Sequence, residues 1–199
     1  VDYYFISSLD DIAWLFNIRG NDIAYVPVTI SYALISMNEA CLFINPEKVP
    51  EDVRKILNEN EIKIMDYEDI GTKLSVLEKG KSIGFNPKKT NCWIYHSIHL
   101  NCKKTEIDEI TTNLKAIKND TELKNLEVCQ IHDGIAMVKF LIWLEQNIDK
   151  QTVTELSAAE MLKRFRGQQD NNIGLSFETI AAYGDHGAMM HYSATQESN

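Results

Sequence analysis

Short apolar segments and amphipathic segments alternate along the first half of this chain, and that alternation limits the folds available to it. Residues 1–7 predict a buried strand, and residues 8–17 predict a helix with Ser8 as its N-cap. Two aliphatic, β-branched runs at residues 28–35 and 40–44, separated by turn-forming residues, predict a hairpin. A hairpin followed by alternating helices and strands is typical of a mixed sheet covered by helices, an α/β (α+β) fold. The later predicted elements are helices at residues 50–59, 67–78 and 90–98, strands at 62–65 and 82–85, and a polar, exposed segment at 101–110.

The second half of the chain is dominated by a helical pattern of unusual length. Asn119 followed by Glu122 is a helix-start signal, and apolar positions then keep one face for roughly thirty residues. The mean helix has only about twelve residues, and a long helix with one apolar stripe normally lies along a sheet. Thr152 and Glu155 predict a capping box for a second helix at residues 156–169.

A domain boundary is predicted near residues 111–114. It gives a first domain at residues 1–113 and a second, incomplete domain at residues 114–199. We expect the chain to be a piece of a larger polypeptide, because Val1 is not a methionine and the last residues directly follow a predicted strand.

The charge balance excludes one broad class of function. The chain carries a formal net charge of −9, and its 20 lysines and arginines are scattered along the sequence. Binding to nucleic acid needs clustered basic groups that neutralise phosphates, so nucleic acid is not an expected partner. No apolar run approaches the roughly 20 residues that cross a bilayer, so a membrane is not an expected partner either.

The four cysteines predict neither a zinc site nor a disulfide framework. Cys41, Cys92, Cys102 and Cys129 show no CxxC spacing and have no histidine pair beside them. Reduced thiols in a cytosolic protein are the default expectation for a chain of this size. Cys129 falls on an apolar helical face, where plain packing is expected.

Residues 175–195 carry the clearest candidate for chemistry. Alternation through Phe177, a turn around Gly184 and an apolar return segment predict a hairpin whose second arm ends near His191. A neutral imidazole in that position could exchange a proton or hydrogen-bond a developing oxyanion. The pattern by itself favours the alternative, a histidine satisfied within the core, because no nucleophile or metal-ligand cluster is nearby. His186 is expected to be a surface turn residue.

The loop at residues 17–27 is denser in polar and aromatic groups than a simple connection requires. It contains Arg19, Asp22 and Tyr25, and binding residues are often found on such loops. The alternative is a local structural lock, in which the arginine and the aspartate fix the loop. The pattern alone favours the lock.

Three blocks of the sequence, taken together, match one known family. Residues 165–195 read FRGQQDNNIGLSFETIAAYGDHGAMMHYSAT, residues 8–32 read SLDDIAWLFNIRGNDIAYVPVTISY, and residues 116–145 read AIKNDTELKNLEVCQIHDGIAMVKFLIWLE. They resemble, respectively, the start of the catalytic domain, the opening of the middle domain and the first catalytic helix of aminopeptidase P. This is the Xaa-Pro aminopeptidase branch of the pita-bread metallopeptidases. The middle-domain block favours the three-domain members over prolidase.

The resemblance implies a creatinase-like mixed-sheet middle domain with flanking helices, followed by the first helices and hairpin of a pita-bread catalytic domain. Family members use two metal ions, usually manganese, to activate a hydroxide that attacks the bond before proline. Their five ligands lie downstream of the pair matched by His191 and Tyr192, so none is expected in this chain. The chain alone is therefore expected to be inactive. The resemblance also implies peptide substrates with proline at the second position, a homodimer and a cytoplasmic location.

Roles for individual residues also follow from the resemblance. His191 matches the histidine that stabilises the tetrahedral intermediate or shuttles a proton, which makes it the expected catalytic residue. Phe177 falls where short members of the family have a tyrosine near the substrate. A non-catalytic pita-bread-like module that binds peptides or proteins is the alternative function. The further expected substrate-binding residues, from the block near the catalytic mouth of relatives, are Asp11, Arg19, Asp22 and Tyr25.

Overall fold

The computed structural model describes residues 1–150 and 153–198, and the chain divides into two compact units. Unit 1 comprises Val1–Ile117, and unit 2 comprises Lys118–Asn199. Thr152, which the sequence suggests as a helix cap, lies outside the described residues. No helix in the described part of the chain is long and apolar enough to cross a membrane.

Unit 1 is built on a six-stranded mixed sheet, as the alternating pattern predicts. The strands are β1 (Tyr3–Ile6), β2 (Ser31–Ser36), β3 (Ala40–Ile44), β4 (Ile62–Met65), β5 (Ser82–Phe85) and β6 (Lys103–Glu106). Their order is β4-β3-β2-β1-β5-β6, so β4 and β6 form the two edges of the sheet. The β1–β2 and β2–β3 pairs are antiparallel, whereas β3–β4, β1–β5 and β5–β6 are parallel.

Helices accompany the strands of unit 1 in the predicted alternation. They are α1 (Leu9–Leu15), α2 (Glu51–Glu59), α3 (Ile70–Ser75), α4 (Cys92–Ser97) and α5 (Ile110–Ala116). Ser8 precedes α1 as predicted, but its hydroxyl donates a 2.8 Å hydrogen bond to Asp10 and makes no cap bond to the backbone. The first turn of α1 contains Asp10 and Asp11, whose negative charges suit the positive end of the helix dipole.

Neighbouring residues of the central strands supply two separate cores. Leu34 and Phe43 belong to a cluster that includes Ile94 of α4, together with residues of α3. Ala33 and Leu42, each one position earlier, belong to a second cluster with residues of α1 and α2. Because successive side chains of a strand point to opposite faces, the sheet is covered on both sides. This explains why β2 and β3 are nearly continuous apolar runs.

One segment of unit 1 contains a strand that the sequence pattern does not predict. Residues 101–110, expected to be an exposed polar stretch, contain β6, which pairs in parallel with β5. An edge strand forms ladder hydrogen bonds on one side only and can carry charged side chains, so its sequence lacks the apolar pattern of a buried strand. The residues at the predicted boundary, 111–114, lie within α5.

Unit 2 begins with the long helix that the sequence predicts. Helix α6 (Asp120–Asn147) has 28 residues and starts with a capping box. The Asn119 side chain accepts from the Glu122 backbone N–H at 2.9 Å, and the Glu122 carboxylate accepts from the Asn119 backbone N–H at 2.9 Å. Both the length and the start signal of this helix are confirmed.

The second helix of unit 2 is present, but its predicted cap is wrong. Helix α7 (Glu155–Gly167) is capped by Thr154 and Ser157, which exchange the two reciprocal bonds. Glu155 is the first residue of the helix, so its side chain is free for other contacts. The guanidinium of Arg166 in α7 forms a bidentate salt bridge with the carboxylate of Asp133 in α6, with nitrogen–oxygen distances of 2.6 and 3.3 Å.

The hairpin predicted at residues 175–195 is wrong. No strand is assigned among residues 118–150 and 153–198, and this segment instead contains a short 3-10 helix at Gly184–Ala188. A two-stranded hairpin is marginal in water without further strands or a packed helix. Here Gly184 and His191 adopt φ values of +58° and +56°, which interrupt any extended run.

Candidate functional site

A buried carboxylate organises the segment that contains His191. Glu155 is 8% exposed, and its Oε1 accepts a hydrogen bond from the Tyr183 backbone N–H at 2.6 Å. The same oxygen lies 2.9 Å from His186 Nδ1, and Oε2 accepts from the Tyr192 hydroxyl at 2.5 Å. The rings of His186 and Tyr192 are stacked with their centroids 4.5 Å apart. These four residues form what we call the Glu155 cluster.

The protonation states within the Glu155 cluster favour its hydrogen bonds. The bond from the Tyr192 hydroxyl, helped by those from Tyr183 and His186, outweighs burial and holds the pKa of the Glu155 carboxyl below its usual value. Burial raises the pKa of the Tyr192 hydroxyl, and the bond to Glu155 raises it further. At neutral pH the carboxylate is therefore ionised and the phenol protonated, which are the states that this bond requires.

His191 directly precedes the anchored Tyr192. It is exposed, and its φ of +56° lies in the left-handed region that L-residues seldom adopt. The imidazole is therefore neither at the end of a hairpin arm nor a histidine satisfied within the core. Phe177, the expected pocket residue, is 64% exposed. The catalytic role of His191 and the substrate-binding role of Phe177 stay predictions.

His186 lies in a turn, as the sequence suggests, but its side chain is partly enclosed by contacts that the sequence does not predict. Its side chain is 33% exposed and bonds to Glu155 through Nδ1. The turn at Gly184–Ala188 folds back onto the start of α7, which brings the imidazole to the carboxylate.

Arg19 and Asp22 each hold the loop at residues 17–27 through contacts of their own. The Arg19 guanidinium donates to the carbonyl oxygens of Ala13 at 3.0 Å and Ile18 at 2.9 Å, and so binds one carbonyl in the last turn of α1 and one in the loop. Asp22 accepts from the Thr29 hydroxyl at 3.0 Å and the Ile30 N–H at 2.8 Å. These contacts give both residues a structural role.

The same two residues line a cavity of about 380 Å³ in unit 1. Lys48, whose ammonium lies 2.6 Å from Asp22, also lines it, and Leu42 and Leu57 contribute apolar surface. The bond to Lys48 and the N–H of Ile30 lower the pKa of the Asp22 carboxyl. Such a cavity combines an apolar floor with an ion pair, which is a common composition for a ligand site.

The other two residues of this set lie in different surroundings. Tyr25 is 47% exposed and has a φ of +66°. Asp11 is fully buried, with its carboxylate 3.0 Å from the Lys115 ammonium and 3.2 Å from that of Lys89, and it accepts from the Thr112 hydroxyl at 2.8 Å. The structure thus brings Arg19 and Asp22 together and places Asp11 in an interior ion network.

The Asp11 network stabilises the charged form of a carboxyl that burial would otherwise neutralise. Burial raises the pKa of Asp11, but the bonds from Lys115, Thr112, Ser8 and Lys89 outweigh it, and the pKa lies below its usual value. The network joins α1 to α5, because Asp11 belongs to the first and Lys115 to the second.

The described residues do not fit a di-nuclear metal centre. Among residues 1–150 and 153–198, no group of three or more histidine, cysteine, aspartate or glutamate side chains is placed to hold a metal ion. Two adjacent ions need several such ligands together.

The cysteines are free thiols. Cys41 and Cys102 are buried, and burial raises the pKa of the Cys41 thiol to about 11. Cys129 is exposed, so the expectation that it packs within an apolar interface is wrong.

Residues 1–122 match the family model described as the creatinase/prolidase N-terminal domain. The chain belongs to this family. The match covers the whole six-stranded sheet and helices α1 to α5, so the mixed α/β architecture of unit 1 is that of a creatinase/prolidase N-terminal domain.

Curated relatives match nearly the full length of this chain. The probable Xaa-Pro aminopeptidase P of Sordaria macrospora is 38% identical over 95% of this chain and 33% of its own length. Xaa-Pro aminopeptidase ApepP of Drosophila melanogaster is 36% identical over 100% of this chain and 33% of its own length. The chain therefore spans about a third of the curated relatives it matches. The resemblance to Xaa-Pro aminopeptidase P that the sequence blocks indicate is confirmed.

Solved structures agree with the sequence relatives. X-prolyl aminopeptidase from Caenorhabditis elegans, described as a cytosolic enzyme with a di-nuclear active site, is 33% identical, with a TM-score of 0.90 over 99% of this chain and 33% of that one. X-Pro aminopeptidase from Thermotoga maritima is 19% identical, with a TM-score of 0.66 over 98% of this chain and 54% of that one, and supports the fold alone.

Sequence reasoning missed several residues that the structure brings into these sites. Lys89 and Lys115 are far from Asp11 in the sequence, and no local pattern links them to a carboxylate in the first helix. The sequence pattern assigns Glu155 to a capping box with Thr152 and gives no sign of its contacts to residues 183–192. The signal that could have singled it out is its position immediately after Thr154, which is itself a good N-cap.

Proposed function

We propose that this chain is part of an Xaa-Pro aminopeptidase, a hydrolase that removes the N-terminal residue of a peptide when proline follows it. In this proposal residues 1–113 form the creatinase-like middle domain, and residues 114–199 form the first part of the pita-bread catalytic domain. The observation that supports it most is the 38% identity, over 95% of this chain, to the probable Xaa-Pro aminopeptidase P of Sordaria macrospora.

The complete protein is proposed to use two divalent metal ions, Mn²⁺ in our proposal. The description of the Caenorhabditis elegans relative as having a di-nuclear active site supports the number of ions. Bound metals supply an activated hydroxide and polarise the carbonyl before proline. Since the described residues do not fit such a centre, the chemistry assigned to this chain is limited to hydrogen bonding and proton transfer.

His191 is the proposed catalytic residue of this chain. Its imidazole would hydrogen-bond the carbonyl oxygen of the bond before proline as negative charge develops there, or carry a proton. Its exposure supports this role, because a substrate can reach it without a change in the interior of unit 2.

The proposed substrate-binding residues differ in how well the structure supports them. Arg19 and Asp22 have the best support, because they line a cavity. Phe177 and Tyr25 are exposed rings that are available for contact, whereas Asp11 is enclosed by lysines. We further propose a cytoplasmic homodimer, and the cytosolic description of the Caenorhabditis elegans relative supports the compartment.

The test is metal analysis and peptide hydrolysis by the complete protein. We expect two bound metal ions per chain and release of arginine from an Arg-Pro peptide. His191→Ala should retain both metals and lower kcat about 100-fold, the usual loss when one group that stabilises an oxyanion is removed. His96→Ala, a change at another exposed histidine, should leave kcat within about twofold.

Two results would contradict the proposal. Full activity of the His191→Ala variant would contradict the catalytic role proposed for the imidazole. A metal-loaded protein that binds Xaa-Pro peptides saturably without cleaving them would favour the alternative, a non-catalytic peptide-binding module. The 199-residue chain with added Mn²⁺ is expected to show no turnover.

A further inference from the structure

Glu155 holds the segment that leads to His191 by three separate contacts. Its carboxylate accepts from the Tyr183 N–H, lies within hydrogen-bond distance of His186 Nδ1, and accepts from the Tyr192 hydroxyl. The last of these residues is the covalent neighbour of His191. The chain is therefore fixed on both sides of the turn and immediately after the imidazole-bearing residue.

Local helix stability does not account for this arrangement. An acidic residue in the first turn of a helix favours the helix dipole even when it is exposed. The cap of α7 is already made by Thr154 and Ser157. Glu155 is nevertheless buried, with only 8% of its surface exposed. Burying a carboxylate costs free energy unless the carboxylate is hydrogen-bonded. The donors that compensate it come from residues 183–192, so its contacts serve that segment.

The backbone of His191 also needs to be held. A left-handed φ in a non-glycine residue is unfavourable and persists only where the surrounding structure imposes it. Tyr192 supplies that constraint, because its hydroxyl is bonded to Glu155 and its ring is stacked on His186. A catalytic group that is displaced by about 1 Å can lose a factor of about 100 in rate.

We propose that Glu155 is a positioning residue for His191: its carboxylate fixes Tyr183, His186 and Tyr192 and thereby sets where the His191 imidazole stands. This inference rests on the proposed function, because it assigns Glu155 an effect on the same reaction. Glu155 itself touches neither substrate nor metal in this proposal and acts only through the segment that it holds.

The experiment compares two glutamates of α7 in the complete, metal-loaded enzyme. Glu155→Gln keeps the shape of the side chain but removes its charge, and Glu160→Gln makes the same change at a residue whose side chain is 71% exposed. We expect Glu155→Gln to lower kcat about 10-fold with KM within about twofold, since the misplaced imidazole affects the transition state. Glu160→Gln should leave both constants within about twofold.

Two further measurements separate positioning from a general structural role. In a His191→Ala background, Glu155→Gln should change kcat less than about twofold, because both changes act through one imidazole. Hydrogen–deuterium exchange of residues 183–192 should be about 10-fold faster in Glu155→Gln than in the wild type, and unchanged in Glu160→Gln. If Glu155→Gln does not fold, Tyr192→Phe removes one hydroxyl and should give the same pattern with a smaller fall in kcat.

The outcomes distinguish this inference from the proposed function. Wild-type kcat in both Glu155→Gln and Tyr192→Phe, or an undiminished effect of Glu155→Gln in the His191→Ala background, overturns the positioning role and leaves the peptidase intact. A metal-loaded wild type that cleaves no Xaa-Pro peptide overturns the proposed function, and the catalytic part of this inference falls with it.

Discussion

Two phenylalanines show that the two units differ in how far they bury apolar side chains. Phe43 of β3 is 0% exposed and lies in a cluster with side chains from helices and neighbouring strands. Phe177 of unit 2 is 64% exposed. The same contrast holds for α6, where Leu123, Ile131 and Val138 are 54%, 56% and 57% exposed. An apolar stripe forms a core only when a second layer covers it, and the sheet of unit 1 provides that layer.

The largest expected effect comes from the same substitution in both units. Phe43→Ala should lower the free energy of unfolding of unit 1 by about 3–5 kcal/mol, because it removes buried contacts and leaves a cavity. Phe177→Ala should change stability by less than about 0.5 kcal/mol. Urea denaturation of the 199-residue chain measures both values. Equal losses would mean that the difference in burial between the two phenylalanines does not produce a difference in stability.

Salt bridges should follow the same division. Asp11→Asn removes the buried charge that Lys89 and Lys115 share. The two lysine side chains are 37% and 24% exposed and keep Glu109 and Asp10 as partners, so we expect a loss of about 2 kcal/mol. Asp133→Asn breaks the pair with Arg166, but the Asp133 side chain is 43% exposed, so the loss should be below about 1 kcal/mol. A comparable cost at Asp133 would show that the interface between α6 and α7 is less hydrated than its exposure indicates. Both losses are measured by urea denaturation at neutral pH.

A pH titration sharpens the comparison further. Lys63 and Lys73 lie 2.7 and 2.8 Å from Glu39 and lower its pKa from 4.5 to about 2. Because the pKa of Glu39 is lower in the folded state than in the unfolded state, its carboxylate stabilises the fold fully only at pH values above the unfolded-state pKa. This contribution to the free energy of unfolding is lost as the pH falls from about 4.5 towards 2. Allowing for screening of this partly exposed group, Glu39→Gln should cost about 1 kcal/mol at pH 7 and almost nothing near pH 2.

The control for this titration is Glu160→Gln in unit 2, where the carboxylate lies 3.3 Å from Lys163 and its side chain is 71% exposed. It should change stability by less than about 0.5 kcal/mol at every pH. A constant cost of Glu39→Gln across the pH range would argue against ionic stabilisation by the two lysines.

The smallest effect concerns glycines within helices. Gly134 of α6 has open space where a Cβ would be added, so Gly134→Ala should stabilise the helix by about 0.5–1 kcal/mol. At Gly71 of α3 an added Cβ would lie 2.8 Å from the Trp93 ring, and Gly71→Ala should lose that gain or destabilise unit 1. Thermal unfolding followed by circular dichroism distinguishes the two signs. A stabilising Gly71→Ala would show that the Trp93 ring moves aside at little cost.

What the sequence predicts correctly is mainly what local patterns determine. The apolar runs of β2 and β3, the turn between them and the Asn119 capping box each depend on residues close together in the chain, and all three are confirmed. The strand β6 escapes prediction because a one-sided ladder does not impose an apolar pattern. The mixed α/β fold can therefore be predicted from the sequence, although its edge strand β6 cannot.

The candidate site was less predictable, because its contacts join distant parts of the chain. Residues 175–195 alternate like a hairpin, yet Tyr183 donates its backbone N–H to the Glu155 side chain. The Asp11 network likewise joins α1 to α5 through a lysine that no spacing rule identifies. The family resemblance predicts His191 as a site residue, and the structure adds its left-handed backbone and the anchored Tyr192 beside it.

The charged character of the sheet edges has a consequence for association between molecules. β4 carries Lys63 and β6 carries Lys103 and Lys104, all at the borders where backbone hydrogen-bonding groups face outward. A strand from another molecule that paired along either border would have to strip water from these ammonium groups, which discourages ribbon-like growth into fibrils. Replacing the exposed Lys103 with valine or isoleucine would leave the fold's interior intact while making concentrated solutions of the protein prone to precipitate.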